Sequence, residues 1–284
     1  MTTTKTITFG HSPDADDAFM FFALAKGHVK IPGHEIGHLL EDIQSLNQRA
    51  ERGELEVTAI SAAQYPKVAQ HYRIMSCGAS VGRNYGPVVV ATSLLTEQDL
   101  AGKRIGVPGE HTTSYMLFRV FGPETFTPVF LDFDAVGPAV QSGDVDAGIL
   151  LHEGQILYQR QGFHGVLDLG RRWFEETGLP IPLGLDCVNR NLSDGLAQSV
   201  TDALRASVEY ARSHEDDALD YALGYGRGIE REDARRFVSM YVNDDTVDMG
   251  DDGRRALETL FGMAAERGII AEAPRLDIAQ AGGS

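Results

Sequence analysis

ITFGHSPDADDAFMFFALAKG, residues 7–27, passes from strand to junction to helix without a linker, and that order decides the fold. Ile7 and Phe9, with the threonines before them (Thr2–Thr4 and Thr6), have strand character that stops at Gly10 and His11. Pro13 to Asp17 supplies a helix start, Phe19, Met20, Phe22, Ala23 and Leu24 a broad apolar surface, and Gly27 a stop. The chain then repeats the alternation. Ile36–Leu40 is a short strand, Asp42 caps a helix carrying Ile43, Leu46 and Ala50, Val57–Ile60 returns to strand, and Ser61 caps a helix through Val68. Strands alternating with helices require crossovers, so an α/β protein with a largely parallel sheet is expected.

Val88–Ala91 closes this first unit, and the polar segment Ser93–Leu100 opens a second. Lys103–Val107, Thr112–Phe121, Val129–Phe133, Asp134–Val140 and Ala147–Leu151 repeat strand and helix, with Val166–Leu169 as an edge. After the turn-rich Gly178–Pro182 comes a strand, Leu183–Val188. The remainder is helical: Leu196–Ala211, Ala218–Leu223, Ala234–Val242 and Ala256–Ala265. A helical block without a sheet must cover an existing face, and the economical face is the first lobe. Residues 1–92 and 185–284 then form a discontinuous lobe 1 and residues 93–184 form lobe 2. Crossings near Ala91–Thr96 and Pro182–Leu185 act as a hinge beside an interlobe cleft.

Among the 284 residues, 41 acidic side chains face 25 basic ones, giving a formal net charge of −16. Such a surface repels nucleic acid and anionic lipid, so neither is an expected partner. A small anionic ligand stays possible, because helix N-termini hold anions without a basic surface. Met1–Thr8 lacks an apolar targeting core and no stretch approaches 18 apolar residues, which leads to a cytoplasmic expectation. Cys77 and Cys187 have no CxxC spacing and read as free buried thiols. The apolar face of the C-terminal helices is compatible with a homodimer.

His152 ends the apolar run Ala147–Leu151, where an open α/β sheet places its chemistry. An imidazole there is either a general base or a half-exposed cap. The Gly10–Asp17 junction, with Ser12 and the first-turn amides, is either a seat for a substrate carboxylate or a structural cap. Its three acids, Asp14, Asp16 and Asp17, oppose an anion unless some face away, and no partner pattern marks them as metal ligands. Gly109–Ser114 is the equivalent junction in lobe 2, where Thr112, Thr113 and the helix amides suit carboxylate or hydroxyl oxygens. Ser61 is expected to face the cleft, while Asn84 and Tyr85 fit a turn equally well. His11 and His111 stand out among the other histidines because both sit at junctions. The Gly109 junction lacks GxxxxGK[ST], Gly102–Gly109 does not supply GxGxxG, and no Ser or Cys near His152 has the G-x-S-x-G context of a nucleophile, so nucleotide binding and a serine hydrolase are unsupported.

With these junctions in view, the chain closely resembles the 1,4-dihydroxy-6-naphthoate synthase family of the futalosine route to menaquinone. The resemblance rests on FGHSPDADDAFMFFALAKG, LEDIQSLNQRAERGELEVTAISAAQYPKV, YGPVVVA, GKRIGVPGEHTTSYMLFRVF, VDAGILLHEGQILYQRQG and WFEETGLPIPLG, in an order running from Phe9 to about Tyr241. It implies a two-lobed fold like the type II periplasmic solute-binding proteins. It also implies a carbon–carbon lyase that cleaves cyclic dehypoxanthinyl futalosine without an organic cofactor. His152 is then the catalytic base, Thr112 and Thr113 are hydroxyl ligands, and Ser12 and Ser61 are cleft contacts. One departure stands out: where a common form of the family reads S-P-C-P-N-D, this chain has Ser12, Pro13, Asp14, Ala15, Asp16, Asp17. A cytoplasmic non-catalytic carboxylate-binding protein and a related chorismate dehydratase are the alternatives.

Overall fold

The computed structural model describes residues 5–226 and 228–282. Thr2–Thr4, counted above with the first strand, lie outside the described residues. The first pass of the chain is β1 (Lys5–His11), α1 (Ala15–Ala25), β2 (His34–Leu40), α2 (Ile43–Glu51) and β3 (Val57–Ser61). A 3-10 turn at Ala62–Gln64 then leads into α3 (Tyr65–Val68), β4 (Tyr72–Met75) and β5 (Ser80–Gly82). The second lobe holds β6 (Val88–Ala91), β7 (Arg104–Val107), α4 (Thr113–Phe121), β8 (Thr127–Phe130) and α5 (Val136–Ser142). It continues with β9 (Ala147–Leu150), α6 (Gly154–Leu157), β10 (His164–Asp168) and α7 (Leu169–Thr177). The chain returns through β11 (Ile181–Asn189) to α8 (Asp194–Ser213), α9 (Glu215–Leu223), α10 (Arg231–Tyr241), α11 (Asp244–Val247), α12 (Gly250–Glu266) and β12 (Ile278–Ala279).

One sheet has the order β12-β4-β11-β3-β1-β2 with β5 paired to β11, and the other has the order β10-β6-β9-β7-β8. Within each, the crossover strands are parallel: β1 with β2 and β3, and β7 with β8 and β9. The strands that carry the chain between lobes run the other way, β11 against β3, β4 and β5, and β6 against β9 and β10. A strand arriving from the opposite lobe enters its sheet from the far end, so the sheets are mixed where the sequence suggested mostly parallel pairing.

The first crossing also moves. Val88–Ala91, placed in lobe 1 by sequence, hydrogen-bonds in the second sheet, so the chain leaves the first sheet between Gly82 and Val88 and not near Ala91–Thr96. Hydrophobicity marks Val88–Ala91 as buried strand but does not say in which sheet. On the return, pairing to the first sheet already begins at Ile181. The strand expected at Val129–Phe133 instead stops at Phe130.

α1 is buried almost all round, including its first-turn Asp16 and Asp17. Phe19, Met20, Phe21, Phe22 and Leu24 pack with Val200, Leu204, Leu219 and Phe237 of the C-terminal helices. Each such side chain contributes about 1.5–3 kcal/mol, which explains why the helical block closes over lobe 1. α12 reaches further: Leu257, Leu260 and Phe261 share a cluster with Leu117 and Phe118 of α4. Cys77 and Cys187 are free and buried. Among the described residues, no helix is long and apolar enough to cross a membrane.

Candidate active site

Between the lobes lies a cleft whose empty space, counted out to its open mouth, is about 730 Å³. Ser12, Ser61, Thr112, Thr113 and His152 all line it. It is also lined by residues the sequence did not bring forward, notably Asp186, Ser80, Gln155 and Tyr241.

His152 follows β9 with φ of 49°, a left-handed conformation that non-glycine residues seldom adopt. Gln155 supports the turn: its amide oxygen accepts the His152 N–H at 3.0 Å while its nitrogen donates to the Gly86 carbonyl (2.6 Å) and the Tyr241 hydroxyl (2.5 Å). The imidazole stands edge-on to Phe133 and Phe237, with ring centroids 5.1 and 6.4 Å away. Nδ1 lies 3.4 Å from Asp14 Oδ2 across the cleft. A carboxylate beside Nδ1 favours the tautomer with its hydrogen there, leaving Nε2 as the basic nitrogen. The pair joins a residue of each lobe, so it depends on lobe closure.

The first-lobe junction carries a structural cap at the wall of the cavity. Asp14 is the N-cap of α1 and accepts from Asp17 N–H at 3.2 Å, while Ser12 N–H donates to Asp17 Oδ2 at 2.7 Å. The Ser12 and Asp17 amides are thus engaged, and Asp14, Asp16 and Asp17 all line the cavity. Burial, then Asp14 and Asp17, raises the Asp16 carboxyl well above the ordinary carboxylate range. Burial, then Asp14 and Asp186, does the same to Asp17 against the opposing pull of the Ser12 N–H. Burial alone pushes Asp186 up to about 8. Packing acids this closely away from water favours their neutral forms. Asp14, Asp16 and His152 bring ligand atoms within 4.8 Å of one another, but the positive end of α1 works against a cation there.

The second-lobe junction differs. Thr112 caps α4 and no acid occupies the first turn. Thr113 ties the lobes together: its hydroxyl accepts from Ala63 N–H (3.1 Å) and donates to the Leu183 carbonyl (2.6 Å). His111 N–H donates to Gln44 Oε1 at 3.2 Å, and Lys67 Nζ lies 3.0 Å from His111 Nδ1. Ser61 accepts from Asn47 Nδ2 at 3.0 Å, and its own O–H remains available to donate.

The other histidine at a junction, His11, is a core residue. It stacks on Phe21 at 4.2 Å, contacts His38, and is lowered to about 4 by burial and then by His38. Trp173 of α7 is fully buried and donates to the Pro180 carbonyl at 3.0 Å. Asp186 had no usable signal, because an acid within an otherwise apolar strand reads as solvent-facing until its neighbours are known.

Residues 7–266 match the family described as menaquinone biosynthesis. A 1,4-dihydroxy-6-naphthoate synthase from Thermus thermophilus is 40% identical over 271 residues, covering 95% of this chain and 98% of that protein. One from Streptomyces coelicolor is 35% identical, covering 93% and 95%. The crystal structure of an Archaeoglobus fulgidus protein superposes with a TM-score of 0.90 at 46% identity, covering 95% of this chain and all of that one (100%). A Candida albicans protein described as having the generic periplasmic binding protein fold superposes with a TM-score of 0.74 at 14% identity, covering 95% and 92%, and agrees in fold.

Proposed function

The chain belongs to the menaquinone-biosynthesis family, and we propose that it acts there as a cytoplasmic 1,4-dihydroxy-6-naphthoate synthase, a carbon–carbon lyase with His152 as general base. The observation that carries the assignment of the base is the His152–Asp14 pair, an imidazole oriented from one lobe by a carboxylate of the other at the wall of the cavity.

Cyclic dehypoxanthinyl futalosine enters with one preferred polarity. Its carboxylate is attracted to the acid-free N-terminus of α4, beside Thr112 and Thr113, and not to the start of α1, where carboxyl groups already fill the space beside the helix. The sugar-derived hydroxyls then lie toward Ser12, Ser61 and His152. His152 removes a hydroxyl proton, a carbonyl forms at that carbon, and the adjoining carbon–carbon bond breaks in a retro-aldol manner. The electron pair passes into the ring system, which becomes an aromatic diol. Aromatisation stabilises the product, leaving the protein to choose the proton and steady the developing oxyanion.

The test is incubation of the purified protein with cyclic dehypoxanthinyl futalosine and mass detection of 1,4-dihydroxy-6-naphthoate. His152→Ala is expected to lose about a hundredfold or more in turnover, as for removal of a general base. Unchanged turnover in the folded variant rejects the base assignment. Consumption of chorismate with the futalosine compound untouched rejects the substrate.

A further inference from the structure

We propose that Asp16 is a second catalytic residue, a carboxylic acid that donates its O–H to the substrate oxygen on which charge collects when His152 takes its proton. The inference rests on the lyase reading above and assigns the other half of its chemistry.

Asp16 is only 6% exposed and lines the cavity, and its Oδ1 is buried with no hydrogen-bond partner among the described residues. An orphaned carboxyl oxygen at the wall of the pocket, a condition Asp186 Oδ1 shares, is costly unless a ligand meets it. Its surroundings decide which form the group takes. Asp14 and Asp17 face it from its own helix turn and Glu153 from the second lobe, and Tyr241 of α10 lies close enough to interact. Burial first, then Asp14, Asp17, a side-chain hydrogen bond to Asp14 and Glu153 keep its proton in place, so the proton is held between Asp16 and Asp14 until a substrate oxygen takes over as its acceptor. A neutral acid is both donor and acceptor, so it can hydrogen-bond to a substrate oxygen as that oxygen gains charge.

The step balances without a co-reactant. The substrate O–H proton goes to His152, its electron pair becomes the C=O bond, and the broken C–C pair moves onto a conjugated carbonyl oxygen. Asp16 hydrogen-bonds to that oxygen, and the proton held by His152 ends there, leaving both side chains as they began.

Asp16→Ala should lower kcat by about a hundredfold to a thousandfold, as for loss of one oxyanion donor. Asp16→Asn, which keeps the shape and a donor, should stay within about tenfold of the parent and abolish any alkaline fall in kcat that the parent shows from ionisation of this acid. Infrared difference spectroscopy, parent minus Asp16→Asn at pH 7, should show one carboxylic-acid C=O band. Parental kcat in Asp16→Ala, inactivity of Asp16→Asn equal to that of Asp16→Ala, or activity lost to EDTA and restored by Mn²⁺ would each overturn the inference. A missing infrared band overturns it whatever the parent's activity. A band in a parent that does not turn over the futalosine compound overturns the lyase reading and leaves the neutral acid standing.

Discussion

Replacing Asp186 with Asn should change how stability depends on pH, and the sign and slope follow from its place at the floor of the cleft. Asp186 sits on β11, 2% exposed, with Oδ1 buried and without a hydrogen-bond partner among the described residues. Burial raises it from 3.8 to about 8. Below pH 4 both the folded and the unfolded chain hold the proton, and its contribution is fully present. Above pH 4 the unfolded chain releases it while the folded chain retains it, so stability falls as pH rises and the loss is complete only above about 8. Each pH unit in that window costs about 1.4 kcal/mol, or roughly 4 kcal/mol by pH 7. Asn has nothing to ionise. Urea unfolding of parent and Asp186→Asn at pH 5, 6 and 7 should therefore give curves whose difference grows in favour of the variant by about 1.4 kcal/mol per unit. Parallel curves would show that Asp186 is already ionised in the folded protein, and the account of a largely neutral acid cluster would fail.

Gly78 has φ of +84°, and an added Cβ would stand 2.2 Å from Asp186 Oδ2 and 2.8 Å from Leu204 Cδ2. Gly78→Ala should therefore lose about 1–3 kcal/mol from backbone strain alone, and further through displacement of Asp186, read as a lower urea midpoint. Trp173→Ala should destabilise by about 3–5 kcal/mol, as expected for a large ring removed from a closed core, since Trp173 has no exposed surface and bonds to Pro180. A shift below about 1 kcal/mol would mean that the second lobe repacks freely there.

Local sequence carried much of this molecule. The helix starts at Asp42 and Thr112 are legible because a capping side chain must satisfy amides within three residues of itself. The burial of α1 follows from its run of aromatics, and His152 at the end of β9 follows from the apolar strand before it. Each of these depends on neighbours in the chain. What sequence left open depends on partners far away in it. Val88–Ala91 looks equally buried in either sheet, and only pairing with β9 and β10 assigns it to the second. Tyr72–Met75 is too short to announce itself and becomes a strand against β11 and β12.

The candidate site divides along the same line. Sequence determined that Ser12, Ser61, Thr112, Thr113 and His152 stand at element ends, because caps and strand termini are local chemistry. Tertiary structure alone decided that Asp14 faces His152 from the opposite lobe, that Asp186 joins Asp16 and Asp17 around the cavity, and that the Ser12 and Asp17 amides are engaged. The reason is electrostatic: the charge state and partner of a carboxyl are set by whatever lies within a few ångströms after folding, and these residues are up to 172 positions apart in number, from Asp14 to Asp186.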